Sequence, residues 1–404
     1  MKVLVLNAGS SSIKYQLFDM KDNSVLTSGM IEKIGETSSR LKYKWVTENG
    51  DRESIQDGCV ANHDEGLRMI LDITLKLGII GNLNELGGIG HRVVHGGEAF
   101  WKPTLISDKV VDVIRELSSL APLHNPANLM AIEVARKRCP SVPQVAVFDT
   151  AFHQTMPPHA YHYAIPHDYY RNLKVRRYGF HGTSHGYVAK EAARHLGKPL
   201  GACNLITLHL GNGTSTACIK EGKCIDTSMG MTPLEGLVMG TRCGDLDPAI
   251  PFYLARSMGK PFEDIENILN KQSGLKGICG TNDMREVERL AKSGNPCAQL
   301  AIDIFCYRIK KYVGSYYAVL GRLDAIIFTG GIGENSPIVR KRCCEGLDSL
   351  GIVFDEMKNE SSSRKLRAIS TDDSKVQVLV VPTNEELEIA QQTAECIKAS
   401  KAKS

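Results

Sequence analysis

The sequence predicts an α/β protein in which helices cover sheets, divided between two domains. Short apolar runs alternate with longer amphipathic stretches along the chain. A strand–turn–strand pattern with a turn rich in glycine and hydroxyl residues occurs near the start and again about half a chain later. The length of 404 residues exceeds the ~100–200 usual for one domain.

The first strand is Val3-Leu4-Val5-Leu6; Asn7-Ala8-Gly9-Ser10-Ser11-Ser12 breaks it, and Ile13-Lys14-Tyr15-Gln16-Leu17-Phe18 resumes with alternation. Asn125 and Pro126 fit the N-cap and first turn of a helix over residues 127–137, which Pro140 stops. Gln144-Val145-Ala146-Val147-Phe148 reads as a buried strand ending on Asp149. The second pattern runs from Leu205-Ile206-Thr207-Leu208 through His209-Leu210-Gly211-Asn212-Gly213-Thr214-Ser215-Thr216, and Ala217-Cys218-Ile219 resumes the strand. Two readings of this recurrence stay open: two ordinary hairpins, or one phosphate-gripping hairpin duplicated, one per domain. A long amphipathic helix is expected over residues 297–320, then the strand Ala325-Ile326-Ile327-Phe328 and a loop from Thr329 to Asn335. The last strand spans residues 376–381, and Thr383 followed by Glu386 has capping-box spacing for a closing helix.

Composition narrows the function classes. Hydrophobic residues at 42% and charged residues at 23% are globular values and argue against disorder or a coiled coil. A net charge of +4 gives no reason to expect nucleic acid or an acidic membrane as partner. Lys174, Arg176 and Arg177 read as a local anion site or solvated surface. No apolar run reaches the ~18 residues of a membrane span, and the first one is too short for a signal peptide. The twelve scattered cysteines are therefore expected as reduced thiols in a cytoplasm.

Three loops can cradle phosphate with backbone N–H groups: residues 7–12, 211–216 and 330–335. None contains a Walker A pattern, and Ser336 stands where a dinucleotide fingerprint needs glycine. Arg92 and Arg242 lie among glycines, where a planar guanidinium suits carboxylate or phosphate. Read alone, each is slightly better explained by a salt bridge to a nearby acid, such as Asp245 or Asp247. Asp149 at a strand end and Glu385 at a helix start are candidate magnesium or water-shell carboxylates. Charge at a helix N-terminus explains Glu385 as well, and capping explains Glu386. His181 and His185 have zinc-ligand spacing, but no glutamate follows the first and Gly182 weakens the helix, so zinc is not expected.

Asn7-Ala8-Gly9-Ser10-Ser11-Ser12-Ile13-Lys14 and Tyr178-Gly179-Phe180-His181-Gly182-Thr183-Ser184-His185 resemble two signatures of the acetate kinase family. Also similar to that family, in the same order along nearly the whole chain, are His91-Arg92-Val93-Val94-His95-Gly96-Gly97, His209-Leu210-Gly211-Asn212-Gly213, Met231-Thr232-Pro233-Leu234-Glu235-Gly236-Leu237, Gly333-Glu334-Asn335 and Pro382-Thr383-Asn384-Glu385-Glu386-Leu387. The resemblance implies two duplicated actin-like (ribonuclease H-like) domains with a nucleotide cleft between them. The first covers residues 1–150 and is completed by a C-terminal helix over 386–404; the second covers 151–385. Asn7 and Glu385 resemble the metal site. Lys14, Ser10, Ser12, His209, Leu210, Gly211, Asn212, Gly213, Asp283, Met284, Arg285, Gly331, Ile332, Gly333, Glu334 and Asn335 resemble nucleotide-binding positions. Arg92 resembles the residue that grips the acyl substrate, and Val94, Leu123, Phe180 and Pro233 the pocket for its methyl group. His181 and Arg242 resemble transition-state stabilisers, and Asp149 the catalytic carboxylate. Thr214 stands where many relatives have serine and keeps the hydroxyl.

The implied reaction is reversible, magnesium-dependent, in-line transfer of the ATP γ-phosphoryl group to acetate, giving acetyl phosphate and ADP; Mn²⁺ is the alternative metal. Acetate is ionised at neutral pH, so it needs no general base, and Asp149 is expected in a positioning or metal-shell role. Some relatives use pyrophosphate; here Gly331-Ile332-Gly333 leaves the loop slim, which favours ATP. The resemblance further implies a cytoplasmic homodimer and a cleft that closes on nucleotide. Rival readings are a propionate or butyrate kinase and a non-catalytic ATP-gated protein of the actin type, which need not carry Arg92, His181 and Arg242 together. A dinucleotide-dependent oxidoreductase lacks its fingerprint.

Overall fold

A computed structural model describes residues 1–47, 50–122 and 124–402. The chain divides into two compact units, Met1–Phe152 with Asn384–Ser404, and His153–Thr383.

Among the described residues the first unit is built on eight strands: β1 (Lys2–Gly9), β2 (Ser12–Asp19), β3 (Ser24–Glu32), β4 (Ser39–Thr47), β5 (Gly50–Gly58), β6 (Leu86–Val93), β7 (Thr104–Leu105) and β8 (Gln144–Phe148). They lie in the order β5-β4-β3-β2-β1-β6-β8-β7. β1 to β5 form an antiparallel meander, β6 and β8 continue parallel to β1, and β7 closes the edge antiparallel to β8. The run of apolar residues in β1 follows from burial on both faces. Leu4 and Leu6 face a core with Leu67, Ile70 and Leu71 of one helix (His63–Lys76) and Ala131 and Ala135 of another (Asn125–Arg138). Val3 and Val5 face the other way, onto Ile389, Ala394 and Ile397 of the terminal helix Glu385–Lys401.

The second unit carries six strands: β9 (Leu205–Leu210), β10 (Thr214–Lys220), β11 (Lys223–Thr227), β12 (Ala325–Thr329), β13 (Arg367–Ala368) and β14 (Gln377–Val380). Their order is β11-β10-β9-β12-β14-β13. β9, β10 and β11 form an antiparallel meander, β12 and β14 run parallel to β9, and β13 closes the edge antiparallel to β14. This matches β3-β2-β1-β6-β8-β7 strand for strand, in both direction and connection. The recurrent hairpin is therefore part of a duplicated sheet, not one of two unrelated hairpins. The long helix Pro296–Leu320, capped by Asn295, buries Ile302, Phe305, Ile309 and Val313 in the core of this unit.

Three local expectations are corrected. Asn125 lies inside its helix and does not cap it: its amide accepts from the His95 N–H at 3.0 Å and donates to the His95 carbonyl at 3.0 Å. The closing helix is capped by Asn384, whose side chain accepts from the Leu387 N–H, not by Thr383. Thr383 instead meets Ser184, and Glu386 pairs with Lys14. Residues 330–335 form a short helix, not a loop. Gly330 enters it at φ +76°, and a β-carbon there would lie 2.8 Å from the Leu210 carbonyl oxygen, so glycine is required.

Candidate active site

In the first unit, the ends of β1, β6 and β8 and the start of the terminal helix carry one cluster. Asn7 is near the end of β1, Arg92 near the end of β6, and Asp149 directly follows β8. The Arg92 guanidinium grips Asp149 in a fork: Nε donates to both carboxylate oxygens at 3.1 Å and Nη2 to one at 2.6 Å. Its Nη1 reaches the Asn7 side-chain oxygen at 3.4 Å. Burial works against the Arg92 charge, but Asp149 and Glu385 outweigh it and hold the pKa above the ordinary value. Burial pushes the Glu385 carboxyl up; Arg92 opposes this, and Asp149 and Glu386 add to it. Lys14 pairs with Glu386. Lys14 thus belongs to this cluster, through an acid that sequence reading assigned to capping.

Around the cluster, Ser10 is exposed at the tip of the β1–β2 hairpin and Ser12 is half-buried. Val94 is buried, and its N–H donates to the Asn128 side-chain oxygen at 3.1 Å. The Asn128 amide also donates to the Ala8 carbonyl at 2.8 Å, so one buried side chain ties the end of β1 to the segment after β6. Sequence reading missed Asn128; its one signal was a polar residue on the inner face of an apolar helix. Leu123 lies outside the described residues.

In the second unit, His181 takes the residue before the helix Gly182–His195 in a left-handed conformation, φ +57°. Its Nδ1 is 2.8 Å from Ser215 Oγ, and its ring stacks on His209 at 4.3 Å between centroids. A β-carbon added at Gly213 would lie 3.3 Å from His181 Nε2 and 3.5 Å from Arg242 Nη1. The imidazole edge and the guanidinium thus flank the same glycine. Arg242 is half-buried and forms no ion pair among the described residues; Nη1 makes a 3.4 Å contact with the Pro233 carbonyl. Burial lowers its pKa from the ordinary value. The acids next to it in sequence are engaged elsewhere. Asp245 accepts from the Gly236 N–H and from Tyr312, and Asp247 from the Ala249 N–H. The salt-bridge reading of Arg242 therefore fails, while that of Arg92 holds with Asp149 as the acid.

Of the expected nucleotide positions in the second unit, eight line one cavity. Gly211, Asn212, Asp283, Met284, Arg285, Gly331, Ile332 and Asn335 line a cavity of about 650 Å³ with Asn282, Glu288 and Ser336, which sequence reading missed. Leu210 and Glu334 turn inward. The Leu210 side chain sits in the core. Glu334 accepts from the Gly330 N–H at 3.0 Å and the Thr383 N–H at 3.1 Å, while burial raises its pKa. Gly333 is buried beside Leu210. His209 belongs to β9 and is held through Ser184 Oγ at 2.8 Å from its Nδ1. Phe180 is buried, and its carbonyl accepts from His153 Nε2 at 2.9 Å.

The basic cluster read as an anion site or surface is neither at two of its residues. Arg176 is buried with its guanidinium 3.7 Å from the centre of the Tyr161 ring, and Arg177 is bound to Glu235 at 2.6 Å. His181 and His185 are each bonded to Ser215, and no group of three or more potential metal ligands of the His, Cys, Asp and Glu type occurs among the described residues.

Residues 2–391 match the model of the acetokinase family. The chain is 56% identical over 400 residues to an acetate kinase of Syntrophobacter fumaroxidans, covering 98% of this chain and 97% of that relative. A crystal structure of Porphyromonas gingivalis acetate kinase superposes with a TM-score of 0.93 at 46% identity, covering 98% of this chain and 99% of that one. A propionate kinase from Francisella tularensis does so with a TM-score of 0.90 at 43% identity, again covering 98% and 99%. With the motifs in register and a duplicated sheet that presents them at strand ends, the chain belongs to the acetokinase family.

Proposed function

We infer that this protein is an acetate kinase that transfers the ATP γ-phosphoryl group reversibly to acetate. The observation that carries this reading is Arg242, a half-buried guanidinium with no ion-pair partner among the described residues, sharing Gly213 with His181. Such a charge is satisfied by an incoming anion.

The chemistry is charge management. The acceptor is ionised, so no residue has to remove a proton. The obstacle is repulsion between acetate and the γ-phosphoryl group. We assign Arg92 to acetate and Arg242 and His181 to the oxygens of the phosphoryl group in flight. The fork from Arg92 holds Asp149 in place as a positioning group. Val94, Leu123, Phe180 and Pro233 are assigned to the acyl methyl. One methylene discriminates by only about 1–3 kcal/mol in such a pocket, so propionate should react, more slowly. The slim turn at Gly331 and the cavity beside it suit a nucleoside better than pyrophosphate alone. We assign phosphate contacts to Ser10, Ser12 and Lys14 and to residues 209–213.

Members of this family use a divalent metal, and the donors present fit magnesium. Asn7, Asp149 and Glu385 are hard oxygen donors. Asp149, Glu385 and Glu386 against Arg92 and Lys14 leave one negative charge in excess, and burial with neighbouring acids already strains the Glu385 charge. When bound, magnesium would neutralise phosphate oxygens. We further propose that the protein is cytoplasmic and homodimeric. Among the described residues no helix is long and apolar enough to cross a membrane. The helices Ala249–Met258 and Phe262–Lys271 expose Phe252, Tyr253, Met258 and Phe262, an apolar face that a second copy would cover.

Arg242→Ala tests the reading. We expect kcat at saturating substrates to fall by about 10³-fold or more, as for other arginines that act on a transferring phosphoryl group. A near-wild-type kcat would remove Arg242 from the mechanism.

A further inference from the structure

Behind His181 lies a line of buried groups that the reaction does not use directly. Thr207, His185 and Ser215 are all fully buried. His185 Nδ1 is 2.7 Å from Thr207 Oγ1, and His185 Nε2 is 2.8 Å from Ser215 Oγ. The same Ser215 oxygen is 2.8 Å from His181 Nδ1. His209 stacks on His181, His153 lies edge-on to His185 at 5.7 Å, and Arg242 sits beyond Gly213.

We propose that Thr207, His185 and Ser215 are positioning residues that lock the tautomer of His181 to that of His185. A serine hydroxyl has one proton to give and can accept in return. Ser215 faces two imidazole nitrogens. If it donates to His181 Nδ1, it must accept from His185, so both rings carry their proton on Nε2. If it donates to His185 Nε2, it must accept from His181, so both rings carry it on Nδ1. Mixed arrangements leave either the hydroxyl proton without an acceptor or two nitrogens competing for one proton, which is costly in a buried site. Thr207 can donate or accept and closes the far end in either direction. Burial beside His153 and His209 keeps His185 well below the usual imidazole pKa, so it stays neutral and gives from one nitrogen only.

The chain matters because the Nε2 edge of His181 lies at Gly213 beside Arg242. A phosphoryl oxygen only accepts, so it selects the arrangement with both protons on Nε2. The ring that meets the anion is then held in orientation from behind, at no cost when the anion arrives. This inference rests on the role given to His181 in the proposed reaction.

The full-length protein labelled with ¹⁵N at histidine, with Mg²⁺ and ATP bound in the absence of acetate, tests it by two-bond ¹H–¹⁵N correlation. His181 and His185 should both show the Nε2–H tautomer. Ser215→Ala should lower kcat by about 10–100-fold, the scale of losing a partner that fixes a histidine's tautomer and orientation, with KM for ATP and acetate changed less than about twofold. Ser215→Thr, which restores the hydroxyl, should recover most of the rate. Opposite tautomers at the two histidines in the wild-type protein overturn the proposal, and that measurement stands even if Ser215→Ala does not fold. A folded Ser215→Ala enzyme with unchanged kcat also overturns it. His181→Ala separates the two levels: if it keeps full kcat, the reaction role of His181 has failed, while matched wild-type tautomers still establish the chain.

Discussion

At the scale of single residues, charge left over or charge held in check identifies the site better than residue type does. Arg92 and Arg242 look alike in sequence, each among glycines. In the structure one is gripped by Asp149 in a 2.6 Å bond and the other has no ion-pair partner among the described residues. Nothing in local sequence distinguishes them, because the acid that claims Arg92 is 57 residues away. Glu385 behaves similarly. As a helix-start residue it reads as ordinary capping chemistry, yet burial raises its pKa above the usual 4.5. A raised carboxyl pKa gives stability that is present below the ordinary value and is lost as pH rises through the raised one. Metal binding runs the other way, because it needs the ionised form. The Mg²⁺ concentration for half-maximal activity should therefore climb as pH falls toward the raised Glu385 pKa. Glu385→Gln should need more Mg²⁺ at every pH and show a flatter pH dependence. Magnesium titrations of activity at several pH values check this, and a mutant with the wild-type profile would exclude Glu385 from the metal site.

At the scale of elements, close approach of backbone decides where the functional groups stand. The terminal helix begins with Glu385 and crosses β6 at its glycines. A β-carbon at Gly90 would lie 2.4 Å from Thr393 Oγ1 and 2.9 Å from Ile389 Cγ2. Gly90→Ala should thus cost about 1–3 kcal/mol by overpacking and carry Glu385 away from Arg92. Urea unfolding should show the lost stability, and activity should drop with it; an unchanged midpoint would mean that the helix yields freely. Apolar runs made β1, β2, β8, β9, β10, β12 and β14 legible in the sequence, and periodicity did so for the long helix Pro296–Leu320, whereas the more polar β3, β4 and β5 and the short edge strands were not read. Element ends were less legible. Asn125, Thr383 and Glu386 all carry capping chemistry in sequence, but tertiary partners take their side chains: the His95 backbone, Ser184 and Lys14. Residues 330–335 read as a loop because glycine dominates them, whereas the inward Glu334 carboxylate holds the turn as a helix.

At the scale of the whole molecule, the duplication explains why strand ends of one design occur twice in one chain. β1-β2-β3-β6-β8 and β9-β10-β11-β12-β14 have the same order and directions, and each places a glycine-containing hairpin at the start of its sheet. The hairpin pattern hinted at this; only the parallel strands beyond it, contributed by distant segments, decide it. The apolar helices at residues 249–271 belong to this scale as well. Light scattering on the eluted protein should give about twice the 44.3 kDa chain mass; the mass of one chain would leave Phe252, Tyr253 and Phe262 exposed without a partner copy. The central claim, an ATP-dependent acetate kinase, is tested most directly by trapping acyl phosphate as its hydroxamate. ATP and Mg²⁺ would be supplied with acetate, propionate or butyrate in parallel, and the acetate reaction repeated with pyrophosphate. The account predicts that acetate with ATP is fastest, with propionate slower but measurable. A faster butyrate reaction, a pyrophosphate-driven reaction that outpaces ATP, or no hydroxamate from any acid while ATP still binds would contradict it.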